Sequence, residues 1–388
     1  MNPRIAGLVV SLAAAAFSAR LVFVSPSLTA TLMLLYSLLA AAATVVMPKR
    51  DCTFKTVNAI LLLLASTLLA YWAENLWLLF AGWSVSTVPF LGRRRPAVAL
   101  IASTVVLAAA IVIIQNGGSG GMLAFTLLIV AVVLRKGLLP AHVWVGDAAD
   151  AGPVIPTALL INGHLGALLV LKVIVPLFPQ TVGRWFPVLS YLAIATAVYV
   201  AIRALAENSP RRLIAFLALS QSACILAGLE SRIAEGITGA LVHWVVVSIS
   251  TTGLFAILRL LEVRFGENLT AARHLGLAEH APRLAVFFVV FGLALVGLPG
   301  TLSFCSQDLL IHGTLASHPL TGILLPVATA MNAVSLFRLF TRLFLGTRRT
   351  GFTITADALP RERFVLAAGT LFVVAGGLFP AVIVRLLK

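Results

Sequence analysis

Charged side chains are scarce: Asp, Glu, Lys and Arg together make up 11% of the 388 residues. Acidic ones are scarcer still, 13 against 28 Lys and Arg. Soluble domains carry roughly 25% charge, so a soluble globular enzyme is excluded. Three cysteines, Cys52, Cys224 and Cys305, stand far apart and form no C-x-x-C pair, which leaves neither a disulfide framework nor a cysteine metal site. No nucleotide, haem or iron–sulfur signature occurs, so no cofactor is expected and any electron transfer belongs to a partner. No loop is long enough for a separate soluble domain.

What fills the chain is apolar sequence. Hydrophobic residues reach 60%, with a mean hydropathy of +1.06. Apolar runs of about 20 residues recur from end to end, each able to cross the ~30 Å hydrocarbon core of a bilayer. They are apolar all round rather than alternating, which excludes a β-barrel. The expected fold is an all-α polytopic membrane protein of about 13 transmembrane helices, over 4–24, 27–47, 56–73, 75–91, 97–115, 121–146, 153–178, 185–206, 211–230, 236–262, 283–315, 319–345 and 363–386. Two runs carry internal breakers, Lys136-Gly137-Leu138-Leu139-Pro140 and Gly297-Leu298-Pro299-Gly300. Proline removes a backbone donor and clashes with the preceding turn, so both are predicted to be interrupted helices.

A net charge of +15 could suggest nucleic acid. In a polytopic chain, however, excess Lys and Arg reports topology and contact with anionic headgroups. If the spans alternate, Arg4, Lys49, Arg50, Lys55, Arg93, Arg94, Arg95, Arg211, Arg212, Arg264, Arg273, Arg283, Arg348, Arg349, Arg361 and Arg363 fall on one side, leaving chiefly Arg184 and Arg232 opposite. The positive-inside rule then places the N-terminus in the cytoplasm, with the bacterial inner membrane as the expected location and no nucleic-acid partner. Arg20 and the second span favour a retained first helix over a cleaved signal peptide. Two broken helices in corresponding positions point to inverted five-helix repeats over 56–178 and 185–345, flanked by N-terminal helices in 1–55 and a C-terminal helix in 346–388.

Several segments, in order, carry a resemblance. They are Ala73-Glu74-Asn75-Leu76-Trp77-Leu78-Leu79-Phe80-Ala81-Gly82-Trp83, Pro140-Ala141-His142-Val143-Trp144-Val145-Gly146-Asp147-Ala148, and Asn208-Ser209-Pro210-Arg211-Arg212-Leu213-Ile214-Ala215-Phe216 through Ser220-Gln221. Gly297-Leu298-Pro299-Gly300 through Phe304 and the stretch from Arg338 to Gly346 follow. Over 56–346 the chain resembles the proton-conducting antiporter-like membrane subunits: the large pump subunits of respiratory complex I, Mrp antiporters, membrane hydrogenases and DAB-type inorganic-carbon transporters. It lacks one N-terminal span of that family's pattern and the long lateral helix of its largest member.

The resemblance also implies where protons would pass. The family's glutamate after the tryptophan of its fifth helix is Ser84 here, and its lysine in the first broken helix aligns with Arg135. Lys136 follows, and lysine, unlike arginine, can titrate when desolvated, so Lys136 is the expected carrier and Arg135 a fixed charge. Both could instead snorkel to the interface. His164 lies one turn beyond the family's next histidine position, either as a proton relay or as an interhelical hydrogen bond. His142 and Asp147 flank the break, as gate or as structural partners, with the structural role favoured for Asp147. In the second repeat His243 matches a family histidine, while the family's lysine is Thr251 and its terminal lysine or glutamate is Gln307. Asp308 and His312, spaced i,i+4, are expected to supply the missing titratable site.

With no catalytic chemistry in the chain itself, the expected function is a proton-translocating subunit that couples the proton gradient to a partner. The three neutral positions tilt the reading toward carbon dioxide/bicarbonate uptake with a cytoplasmic zinc carbonic-anhydrase-like subunit. The alternatives are a redox-driven pump beside an electron-transfer module and a non-conducting scaffold. Very few carboxylates lie within the spans, which disfavours a free-standing cation antiporter.

Overall fold

A computed structural model describes residues 2–118, 121–266, 269–347 and 357–387. Every regular element among them is helical. The protein is an integral membrane bundle, and its N-terminal part holds α1 (Pro3–Val24), α2 (Leu28–Val46), α3 (Phe54–Trp72), α4 (Leu76–Val85) and α5 (Arg94–Ile113). Starts are set by local chemistry: the side chains of Asn2, Ser27, Thr53 and Asn75 each accept a bond from a first-turn N–H. Such caps satisfy donors that a helix cannot pair internally.

The first broken span is α6 (Met122–Lys136) and α7 (Val143–Ala151), separated by a turn that begins at Gly137 in the left-handed region, φ 69°. The freed groups are paired again: Trp144 Nε1 donates to the Leu134 carbonyl at 2.9 Å, and Leu139 N donates to Thr196 Oγ1 at 3.0 Å. Next come α8 (Val154–Asn162), α9 (Leu165–Leu169) and α10 (Val175–Leu177). One continuous helix was expected over 153–178, but it breaks at Gly163-His164, where His164 takes φ 41°. The Tyr71 hydroxyl of α3 donates to the Gly163 carbonyl released there, at 3.0 Å, and the Tyr36 hydroxyl of α2 adds a second bond to the Leu159 carbonyl, at 2.9 Å.

The remainder is α11 (Pro179–Ala206), α12 (Pro210–Glu230), α13 (Ala234–Phe265), the broken pair α14 (Pro282–Leu295) and α15 (Leu302–Ser317), α16 (Pro319–Phe344), and α17 (Pro360–Leu378) with α18 (Pro380–Leu387). Among the described residues nine helices are individually long and apolar enough to cross a membrane. The other expected passages are the short segment Leu76–Phe90, the two broken pairs, and α17 with α18, which meet at a 95° bend where one straight helix was expected. At the centre stands α12, buried at every residue from 213 to 230 and embraced by α11, α13 and α16. α1 lies at the periphery and buries only Gly7, Ser11, Ala15 and Ser18.

At one end of the bundle the polar residues form a salt-bridge network. Arg259 Nε binds Asp51 at 2.6 Å and its Nη1 binds Glu262 at 3.0 Å, while Arg211 Nε binds Glu262 at 2.6 Å. Asp147 receives Arg95 at 2.9 Å and also Arg212, and Arg264 binds Glu362 at 2.6 Å. Arg348 and Arg349, assigned to the same side from sequence, lie outside the described residues.

Candidate functional site

Lys136 ends α6 and is 7% exposed, with Arg135 beside it at 6%. Neither snorkels. A helix C-terminus carries a partial negative charge, so two cations on the last turn of α6 are electrostatically favoured there. Their directions diverge as the 100° step predicts. The Arg135 guanidinium lies 5.1 Å from the Trp83 ring and bonds the Ser86 hydroxyl, while Lys136 Nζ lies 2.9 Å from His164 Nδ1 and bonds the Ser222 hydroxyl. The break at Gly163-His164 is what delivers the imidazole to Lys136, and Trp244 covers its edge at 5.1 Å between centroids.

From Ser222 the polar groups continue across the core. Its α12 neighbour Gln221 presents Oε1 2.9 Å from His243 Nε2, and His243 Nδ1 lies 3.0 Å from Ser306 Oγ on α15. One residue further, Gln307 Nε2 reaches Ser303 Oγ at 3.4 Å. Two bonded clusters therefore lie side by side, Lys136–His164–Ser222 and Gln221–His243–Ser306, joined only by the adjacency of Ser222 and Gln221 on α12, with Gln307 next to Ser306 on α15, and all of these residues are buried. Serine hydroxyls and neutral histidine each donate and accept, so the clusters hold groups able to pass a proton on, with Gln221 orienting His243 and Lys136 as the cation.

Sequence reasoning missed Ser222, Gln221 and Ser306, because single polar residues in an apolar helix read as bonding back to their own backbone. Asn162 was missed too. Thr251 donates to its Oδ1 at 2.9 Å, and it also back-bonds to the Val247 carbonyl at 2.6 Å. His142 is half-buried at the break and packs on Tyr199, with ring centroids 4.9 Å apart and away from the Lys136 cluster. Asp147 is held by Arg95 and Arg212, a structural tie. Ser84 bonds back to the Phe80 carbonyl at 2.7 Å.

Asp308 and His312 require correction as the titratable site of the second repeat. Their side chains are 60% and 69% exposed, 3.5 Å apart on the outer face of α15. One residue is a 100° turn, so when Gln307 faces the core Asp308 faces out. The expected apolar burial of this pair is absent.

The family model described as NADH:quinone oxidoreductase/Mrp antiporter, TM matches residues 99–332. The chain belongs to this family. Among curated members it is 28% identical over 258 residues to NADH-quinone oxidoreductase subunit M of Mycobacterium tuberculosis (strain ATCC 25618 / H37Rv), covering 66% of this chain and 46% of that protein. It is 25% identical over 259 residues to subunit N of Rhodococcus opacus (strain B4), covering 66% and 48%. The chain thus spans about half the length of the curated relatives it matches. Solved family folds superpose closely. A chain of respiratory complex I from Thermus thermophilus gives a TM-score of 0.88 at 21% identity, covering 99% of this chain and 95% of that one. A chain of the Mrp complex from Dietzia sp. DQ12-45-1b gives 0.83 at 19%, covering 99% and 91%. At these identities the likeness establishes the fold.

Proposed function

We propose that this chain conducts protons across the membrane as one subunit of a multi-subunit complex of the complex I or Mrp kind. The observation that carries the reading is the buried Lys136–His164–Ser222 cluster, with a second buried cluster, Gln221–His243–Ser306, beside it on α12. Ionisable side chains inside a membrane are costly and mark functional sites by default, and this one has a titratable neighbour in His164. The relatives carry names of NADH-quinone oxidoreductase subunits, so a redox-driven or antiporter-type partner replaces the carbon-uptake partner preferred from sequence. In this reading the arginine-rich end faces the cytoplasm of a bacterial cell, and the two broken spans belong to inverted repeats over 56–178 and 185–345.

The test is proton flux in proteoliposomes carrying the intact complex. Lys136→Ala should reduce coupled flux by about a hundredfold, the lower range for loss of a positioned proton donor, while the complex still assembles. Parent-level flux in that variant would leave a scaffold as the surviving reading.

A further inference from the structure

The polar clusters do not include the most deeply buried carboxyl group among the described residues. Glu230 closes α12 and is 0% exposed, and neither of its carboxylate oxygens has a hydrogen-bond partner among the described residues. Its sequence neighbours Arg232 and Glu235 are exposed and do not pair with it. A structural glutamate inside a bundle is held by donors, because a buried polar group without a partner is strongly disfavoured and a buried lone charge more so. Glu230 has no such holder, so packing does not explain it. None of the family positions named above falls on it.

We propose that Glu230 is a proton-binding site that extends the route from the Lys136 cluster toward the end of the bundle remote from the arginine network. Glu230 lies eight residues from Ser222 on the same helix, about 12 Å along the axis and about 80° around it. It therefore projects between the direction of Ser222, which meets Lys136, and that of Ser220, which meets the Ala197 carbonyl of α11 at 2.9 Å. Ala223, Ala227 and Gly228 are small residues in that stretch of α12. In the described conformation the carboxyl holds its proton, since ionisation would leave an uncompensated charge. It gives the proton up when water or a cation reaches it, and takes the next one from the clusters. The site supplies the second half with a titratable group that Thr251 and Gln307 cannot.

This inference rests on the proton-conducting reading, and two measurements on the intact complex separate them. The first uses dicyclohexylcarbodiimide, which reacts with protonated carboxyls in apolar surroundings. Trypsin cleaves after Arg212 and Arg232, and in the fragment 213–232 Glu230 is the sole acidic residue. We expect the adduct on that fragment in the parent and none in Glu230→Gln; an unlabelled parent fragment overturns the site. The second is flux: Glu230→Gln and the apolar Glu230→Leu should each fall at least about tenfold below the parent, with Glu230→Asp retaining part. Parent-level flux in either neutral variant overturns the proposal while leaving the Lys136 reading standing. A parent complex that moves no protons overturns that reading instead, and labelling then still decides whether Glu230 binds a proton. If both neutral variants fail to assemble, the parent's labelling likewise decides.

Discussion

Lys136 and Arg135 are adjacent in sequence yet serve different neighbours, one on an aromatic face and a serine, the other on a histidine and a serine. The difference between ammonium and guanidinium therefore becomes testable at single positions. Lys136→Arg keeps the charge but cannot release the proton, so coupled flux should fall nearly as far as in Lys136→Ala. Normal flux there would mean that only a fixed charge is required. Asp308→Asn is expected to leave proton flux within about twofold of the parent, because its side chain is 60% exposed and belongs to a different face of α15 from Gln307. Severe loss in Asp308→Asn would restore the acid–histidine pair as a way station. From sequence, the carboxyl of Asp308 and its i,i+4 spacing from His312 set the pair on one face of a helix; sequence alone does not say that this face points out of the bundle.

Among elements, the broken helices were legible unequally. Pro140 and Pro299 announce two breaks, because a missing N–H and a ring clash leave little choice. The break at Gly163-His164 carries no proline and sits in an apolar run, and it is sustained by hydroxyls from Tyr36 and Tyr71, more than 90 residues away in sequence. Local propensity cannot report a partner so distant. The same long-range character governs packing between α13 and α15: a Cβ at Gly313 would overlap the backbone of Gly236, which cannot move aside as a side chain can. Gly313→Ala should therefore lower stability by about 1–3 kcal/mol, the usual cost of overpacking, read as a reduced melting temperature in detergent. Gly92→Ala, with nothing within 4 Å of the added atom, should melt with the parent. Equal melting of the two variants would show that the α13–α15 seam tolerates separation.

For the molecule as a whole, the arginine-rich network acts as a girdle, joining the α2–α3 connection to α7, α12 and α13 through Asp51, Asp147, Arg211, Arg212, Arg259 and Glu262. Glu262 is 3% exposed and receives two arginines, so Glu262→Ala leaves Arg211 and Arg259 without their shared acid. A loss of about 3 kcal/mol is expected, measured as thermal stability of the solubilised chain, since removing one member of a buried pair costs more than the pair contributes. Orientation is checked at both ends. A cysteine at Gly92, beside Arg93 and Arg94, should be labelled only from the cytoplasmic side, and one at Gln180 only from the opposite side. The reverse pattern would invert the proposed topology. Hydropathy and charge bias made the membrane class legible from the start, because they sum over the whole chain. The buried polar clusters were only half legible, because their neutral members depend on which helices touch.

A helix that never meets lipid is freed from the rule that shapes the others. α5 must keep one flank compatible with hydrocarbon, and its buried residues Pro96, Ala97, Leu100, Ser103, Leu107, Ala110 and Ile111 recur at steps of three and four. α12 has no such flank, so each of its positions answers to a particular neighbour. A saturation scan would therefore trace a rhythm along α5 and a plateau along α12. A plateau has no silent positions through which a lineage can drift. Substitutions are therefore expected to be tolerated least along the axis of the bundle and most at its circumference.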